Sequence, residues 1–148
     1  GNTVFDGPDG AVRLFGVAMD VTERERAQQE VRRLAETLGL ALAAAELGTW
    51  DWDPATDLMM LSPRAAAIYG VDPHVRHRRA DLRLRVHPDD REPARLAASR
   101  SMTDRTDYDV EYRLIAERHD EEPVWVAVRG RGEYDENGRL LRFLGVVQ

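Results

Sequence analysis

Polar and apolar residues alternate most cleanly in the C-terminal half of the chain. Tyr108, Val110, Tyr112 and Leu114 share one face of an extended segment, with Asp109, Glu111 and Arg113 on the other. That is the period of two a half-buried strand requires. Trp50 and Trp52 alternate with Asp51 and Asp53 in the same way. Val124, Val126 and Val128 face one way and Trp125 and Ala127 the other; a strand apolar on both sides is expected to be covered on both. Ser62 at an N-cap and Pro63 at the first helical position start a short helix, which Gly70 ends. His87-Pro88-Asp89-Asp90 starts another, with proline in the first turn and two carboxylates near the positive end of the helix dipole.

A different period governs residues 22–46. Ala27, Val31, Leu34, Leu38, Ala41 and Ala45 recur in alternating steps of four and three, drawing one narrow apolar seam. Glu25, Gln29, Arg32 and Glu36 occupy the opposite face. Thr22-Glu23-Arg24-Glu25 fits a capping box, with Asp20 adding charge at the dipole's positive end. Gly39 weakens the helix locally. Leu40, Leu42, Ala43, Ala44 and Leu47 widen the apolar surface, so the C-terminal end is expected to lie against its own domain. A seam of this length serves a dimer or a helix packed wholly on its own core equally well.

Residues 1–21 read as a β-hairpin: Val4 and Phe5, the turn signal Asp6-Gly7-Pro8-Asp9-Gly10, then a strand from Val12 to Met19. An isolated hairpin is marginally stable in water, so Val12, Leu14, Phe15 and Val17 are expected to dock on another surface. The hairpin has an echo at the other end of the chain. Phe5-Asp6, Asp9-Gly10, Arg13-Leu14-Phe15 and Gly16-Val17 resemble Tyr134-Asp135, Asn137-Gly138, Arg142-Phe143-Leu144 and Gly145-Val146. The expectation is that the chain opens inside the end of one domain and closes at the equivalent point of the next.

Composition narrows the chemistry. Of the 148 residues 43% are apolar and 32% charged, as in a globular domain with an appendage, and the net charge of −6 argues against nucleic acid as a partner. There is no cysteine, which removes disulfides and thiolate catalysis. All 21 basic residues are arginine, so Schiff-base and phosphate-loop lysines are absent too. No apolar run reaches membrane-spanning length, and Gly-Asn-Thr-Val-Phe does not open a signal peptide. The expected location is cytoplasmic, with room for a membrane anchor elsewhere in a longer protein.

Individual polar residues offer little chemistry. His87 could ligate a metal or haem, but a helix-start role beside Pro88 fits better because no other histidine stands at useful spacing. His74 and His77 lie among Arg76, Arg78 and Arg79, whose charge opposes a cation, and His119 sits beside acids. Arg76, Arg78, Arg79, Arg83 and Arg85 could grip an anion or an acidic partner; the plainer reading is a solvated run with Leu82 and Leu84 facing inward. Glu117 to Glu122 reads as a polar connecting loop. Asp51 and Asp53 have no complementary base at readable spacing. No metal site and no catalytic residue is expected.

Gly48-Thr49-Trp50-Asp51-Trp52-Asp53, followed by Leu61-Ser62 to Tyr69-Gly70, resembles the opening of a PAS domain of the large group found in histidine kinases and diguanylate cyclases. Val86-His87-Pro88-Asp89-Asp90-Arg91 is similar to the motif that opens the family's long helix, and Tyr108-Asp109-Val110-Glu111-Tyr112-Arg113-Leu114 to the strand after it. Val124-Trp125-Val126 and Gly138 through Gly145-Val146 are similar to its closing strands. Asp20-Val21-Thr22-Glu23-Arg24 matches its domain-exit motif, here belonging to an upstream domain.

The resemblance covers residues 47–148 and implies an α+β fold. In it, a five-stranded antiparallel sheet has one face covered by helices and a small cavity. Strands are expected near 48–53, 57–61, 107–115, 123–134 and 139–148, and this domain's longest helix near 88–101. Residues 1–21 would then be the C-terminal hairpin of a preceding PAS domain and residues 22–46 a signalling helix. Tyr108, Val110, Tyr112, Val126 and Phe143 are the expected cavity residues.

Two functional classes follow. One is a non-catalytic sensory and relay module, homodimeric through the N-terminal helix, with a possible small-molecule ligand and with adjacent PAS and output domains in a longer chain. The other is a redox or gas receptor. The flavin photoreceptor branch of the family needs a cysteine for its light adduct and is closed to this chain. Non-covalent flavin and haem stay open, although no bound cofactor is expected.

Overall fold

The computed structural model describes residues 3–6, 12–15, 18–118 and 120–148, with side chains from Val21 onward. The chain divides into two compact units, Gly1–Ala41 and Leu42–Gln148.

In the first unit, β1 (Thr3–Asp6) pairs antiparallel with β2 (Val12–Phe15), Thr3 opposite Phe15 and Asp6 opposite Val12. The expected turn at Gly7 to Gly10, and Gly16-Val17, lie outside the described residues. Helix α1 runs from Ala18 to Ala44. It therefore begins a full turn before the expected capping box, and Ala18 and Met19 belong to it rather than to the strand. Thr22 is interior to the helix, and Asp20 lies in its first turn. Val31, Leu34, Leu38 and Leu40 are exposed.

The helix stops two residues before its expected end, and the reason is local. Glu46 takes a left-handed conformation, φ 55°. Its N–H donates to Ala43 O, and Leu47 N–H donates to Leu42 O, the paired bonds of a Schellman motif with glutamate in the usual glycine position. Ala45 thus sits in the terminating turn. Of the residues expected to bury this end, Leu42 and Leu47 are half-buried, whereas Ala43 and Ala44 are exposed.

The second unit is built on an antiparallel sheet. Its elements are β3 (Gly48–Asp53), β4 (Leu58–Leu61), α2 (Pro63–Tyr69), β5 (His77–Arg78), α3 (Arg79–Arg83), α4 (Pro88–Asp104), β6 (Tyr108–Leu114), β7 (Val124–Tyr134) and β8 (Leu140–Val147). The order β5-β4-β3-β8-β7-β6 makes six strands rather than five. The extra one is a two-residue edge, Leu58 opposite Arg78 and Met59 opposite His77, too short to leave any alternation in the sequence. Helix α4 extends to Asp104, three residues beyond expectation, and ends where Arg105 turns left-handed.

One sheet face carries the core. Trp50, Leu61, Tyr108, Tyr112, Leu114, Val126, Val128, Phe143 and Val147 pack beneath Ala65, Ala66 and Tyr69 of α2, Leu82 of α3, Val86, and Ala98 of α4. Two cross-strand glycines make room for Trp50. Gly130 stands opposite Gly145, which stands opposite Trp50. A Cβ on Gly130 would lie 2.5 Å from the indole, and one on Gly145 would lie 1.8 Å from Arg129 O. The ring therefore lies flat across both strands, donating from Nε1 to Val146 O at 3.1 Å.

The other face carries ion pairs: Asp51 with Arg142, Asp109 with Arg129 and Asp107 with Arg131. Among the described residues the two sides of β7 differ. Val126 and Val128 are buried, but Trp125 is 65% exposed, with the Arg113 guanidinium 5.5 Å from its ring centre.

Candidate functional site

A cavity of about 100 Å³ lies between the core face of the sheet and helices α3 and α4. Its placement follows from the strand pleat. Trp50 and Trp52 share the inward side of β3, as Tyr108 and Tyr112 do on β6. Met59 and Phe143 complete the floor. Leu82, Val86, Ala94 and Ala98 form the helical wall, where the two alanines leave the space a larger side chain would fill.

The aromatic floor is ordered. Phe143 lies 5.5 Å from Trp50 and 5.8 Å from Tyr108, tilted against both, a favourable geometry for ring quadrupoles. The hydroxyls of Tyr69 and Tyr112 share a 2.5 Å hydrogen bond across the cavity wall. Burial pushes the Tyr69 phenol up to about 12, partly offset by that bond. Burial also pushes Tyr112 and Tyr108 well above the ordinary phenol range. All three are neutral hydrogen-bonding groups at any physiological pH.

Four arginines stand at the mouth: Arg79, Arg83, Arg91 and Arg95. Arg95 forks onto Glu92 at 2.9 and 2.6 Å. Arg91 donates to the carbonyls of Val86 and Leu84, 2.9 and 3.0 Å. Arg79 is half-buried and stacks 4.6 Å above the Trp52 ring. Burial pulls its pKa down, against the smaller effects of Tyr108 and Asp57. Asp57 itself accepts from Trp52 Nε1 at 3.0 Å.

Of the five expected cavity residues, Tyr108, Tyr112 and Phe143 line the space. Val126 is buried beside it, opposite Tyr112, and Val110 packs half-buried against the core; neither reaches the cavity. Sequence reasoning missed Trp50, Trp52, Met59, Tyr69 and Arg79. The two tryptophans were legible as an inward face. Arg79 was hidden in an arginine run whose members in fact separate: Arg78 is exposed, Arg85 donates to Tyr69 O at 2.9 Å, and Arg79 turns inward. Leu82 faces inward as expected, but Leu84 is 60% exposed.

Several of the remaining candidates have structural partners. His87 caps α4, its Nδ1 accepting from Asp89 N–H. Asp90 takes both ends of the Arg113 guanidinium at 2.9 and 2.7 Å and the Arg113 backbone N–H at 2.9 Å, tying α4 to β6. Those bonds hold its carboxyl well below the usual carboxylate range. Asp53 accepts from Ala55 and Thr56 within its own turn. The His77 ring bonds Asp72 O. His119 lies outside the described residues, and among those described no group of three or more potential ligands could hold a metal. No described helix is long and apolar enough to cross a membrane.

Comparison with known proteins places this geometry. Residues 58–147 match the sequence profile of a family described as the PAS fold. A sensory box histidine kinase/response regulator from Burkholderia thailandensis E264 superposes with a TM-score of 0.62 at 31% identity, covering 75% of this chain and 82% of that one. The N-terminal domain of a diguanylate cyclase with PAS/PAC sensor from Marinobacter aquaeolei gives 0.60 at 19% identity, covering 69% and 93%, a likeness of fold alone. The probable diguanylate cyclase DgcE of Escherichia coli (strain K12) is 24% identical over 130 residues, 86% of this chain. The chain spans only 11% of that protein's length.

Proposed function

The chain belongs to the PAS fold family, and from that membership we propose that it is a sensory and relay module of a longer signalling protein. In this reading residues 47–148 are the sensor, residues 22–46 the signalling helix, and residues 1–21 the closing hairpin of a preceding domain. The output domain would be a histidine kinase or diguanylate cyclase, as in the relatives. The cavity would take a small ligand.

One observation carries the reading. A continuous helix of 27 residues, roughly 40 Å long at the usual rise, leaves Val31, Leu34 and Leu38 exposed in one seam. It passes through a single turn at Glu46 into β3, the strand that bears Trp50 and Trp52. A ligand that shifts those rings acts on the strand covalently joined to the rod. Two copies paired through Ala27, Val31, Leu34, Leu38, Ala41 and Ala45 would make the response a choice between packed registers.

A flavin or haem is not favoured by the residues present. About 100 Å³ is well below the roughly 300–1,000 Å³ of sites for larger ligands. No described histidine lines the cavity.

The test is paired. Leu34→Glu/Leu38→Glu should convert a sedimenting dimer to monomer, because each charge would have to be buried unpaired or expelled. In the full-length protein, inserting seven residues after Arg33 should preserve output better than inserting two, since only seven keeps the seam in phase. A double variant that stays dimeric, with equal output from both insertions, would refute the relay.

A further inference from the structure

The cavity has a polar end that the fold itself does not use. Arg79 makes no hydrogen bond and no close ion pair with any described residue; it stacks on the Trp52 face, with Tyr108 and the Asp57 carboxylate near enough to act on its charge. The Tyr108 hydroxyl likewise has no hydrogen-bond partner among the described residues; the residue is 8% exposed, and its hydroxyl keeps part of that accessible surface. Both line the same space. The Tyr69 and Tyr112 hydroxyls, by contrast, satisfy each other. A half-buried guanidinium is costly unless it is paired, and its planar fork matches a carboxylate bidentately.

The local charge selects the sign. Four arginines line the cavity and no carboxylate does; Glu92 and Asp57 lie nearby, the first bonded to Arg95 and the second accepting from Trp52, and each offsets part of the charge of Arg83 and Arg79. Apart from the four arginines, the lining is apolar or aromatic. A dry cavity of about 150 Å³ accepts benzene; about 100 Å³ is smaller and suits a short branched chain whose charged end stays at the mouth, with a single ring as the upper limit.

Resting on the reading of this cavity as a ligand pocket, we propose that it recognises a small organic monocarboxylate. The carboxylate bonds Arg79 and the Tyr108 hydroxyl, and the apolar body lies against Trp50, Phe143 and Ala98. Arg79 is the half-buried guanidinium at the mouth without a hydrogen bond or close ion pair, Arg83 being exposed; one such group beside a neutral phenol donor favours a single negative charge over a multiply charged phosphate.

The experiment is titration of the 148-residue chain with isovalerate and benzoate, and with isovaleramide and benzamide as neutral isosteres. It is followed by amide chemical shifts and by calorimetry. The carboxylates should bind at least tenfold more tightly than the amides, with shifts centred on β3 and β6. Arg79→Gln should weaken carboxylate binding at least tenfold and leave the amides unchanged, and Tyr108→Phe should weaken it less. Equal binding of acid and amide would overturn the anion assignment and leave a ligand pocket standing. Carboxylate binding indifferent to Arg79→Gln would overturn it as well. Failure of all four probes, with both variants folded, would also overturn it; the relay reading would then rest on the seam experiment alone.

Discussion

Substituting Gly145 by alanine tests whether the Trp50 platform organises the domain. The new Cβ would stand 1.8 Å from Arg129 O, 2.6 Å from Gly130 Cα and 2.7 Å from Trp50 Cζ2. Two of these three atoms are backbone in the neighbouring strand, so no rotamer change relieves them. Overpacking typically costs about 1–3 kcal/mol, and a clash with backbone belongs at the upper end. Alanine recovers roughly 0.5–1 kcal/mol of the conformational entropy that glycine loses in a strand, leaving a net cost of about 2 kcal/mol. For a domain near 100 residues that lowers Tm by roughly 8–16 °C. Urea denaturation should show a lower midpoint with an unchanged slope, because the unfolded surface is the same. Separation of β7 from β8 also withdraws Val146 O from the indole N–H, so the Trp50 side-chain N–H resonance should move. A Tm within 4 °C of wild type, or an unmoved resonance, would refute the view that the two glycines are required for the indole to lie across the strands.

Tyr112→Phe should destabilise by about 1–3 kcal/mol, because it strands the buried Tyr69 hydroxyl. Tyr69→Phe/Tyr112→Phe should cost less than the sum of the singles, and additive costs in denaturation would contradict the pair. Asp90 has a folded pKa below its unfolded value, so its contribution is present above the ordinary carboxylate range near pH 4 and is lost as pH falls toward the folded value. Asp90→Asn should therefore flatten the acid side of the stability profile, and an unchanged slope between pH 5 and 2 would count against the Arg113 clamp.

Much of the architecture is written locally. The alternation at Tyr108–Leu114 and at Trp50–Asp53, and the cap-and-proline starts at Ser62 and His87, involve residues within a few positions of one another. Period and turn chemistry therefore identify β3, β6 and α2 almost to the residue, and the start of α4. The family's motifs extended that to the order of the elements.

What escaped the sequence was whatever depends on a distant partner. Strand β5 exists because β4 offers an open edge to two residues with no period of their own. The start of α1 moved to Ala18 because a good cap at Thr22 does not prevent a helix from extending upstream. Trp125 reads as a buried residue, but burial is decided by what lies opposite, and within its own unit it is met by the Arg113 guanidinium and stays 65% exposed. The cavity is the clearest case. Tyr108, Tyr112 and Phe143 point inward by register, which the pattern determines up to a slip of one residue. The space between them exists only because Ala94 and Ala98 lie across from them and because Arg79 leaves its neighbours in the arginine run to stack on Trp52. Periodicity specifies which way a side chain faces; only packing decides whether it meets another side chain, solvent or a cavity.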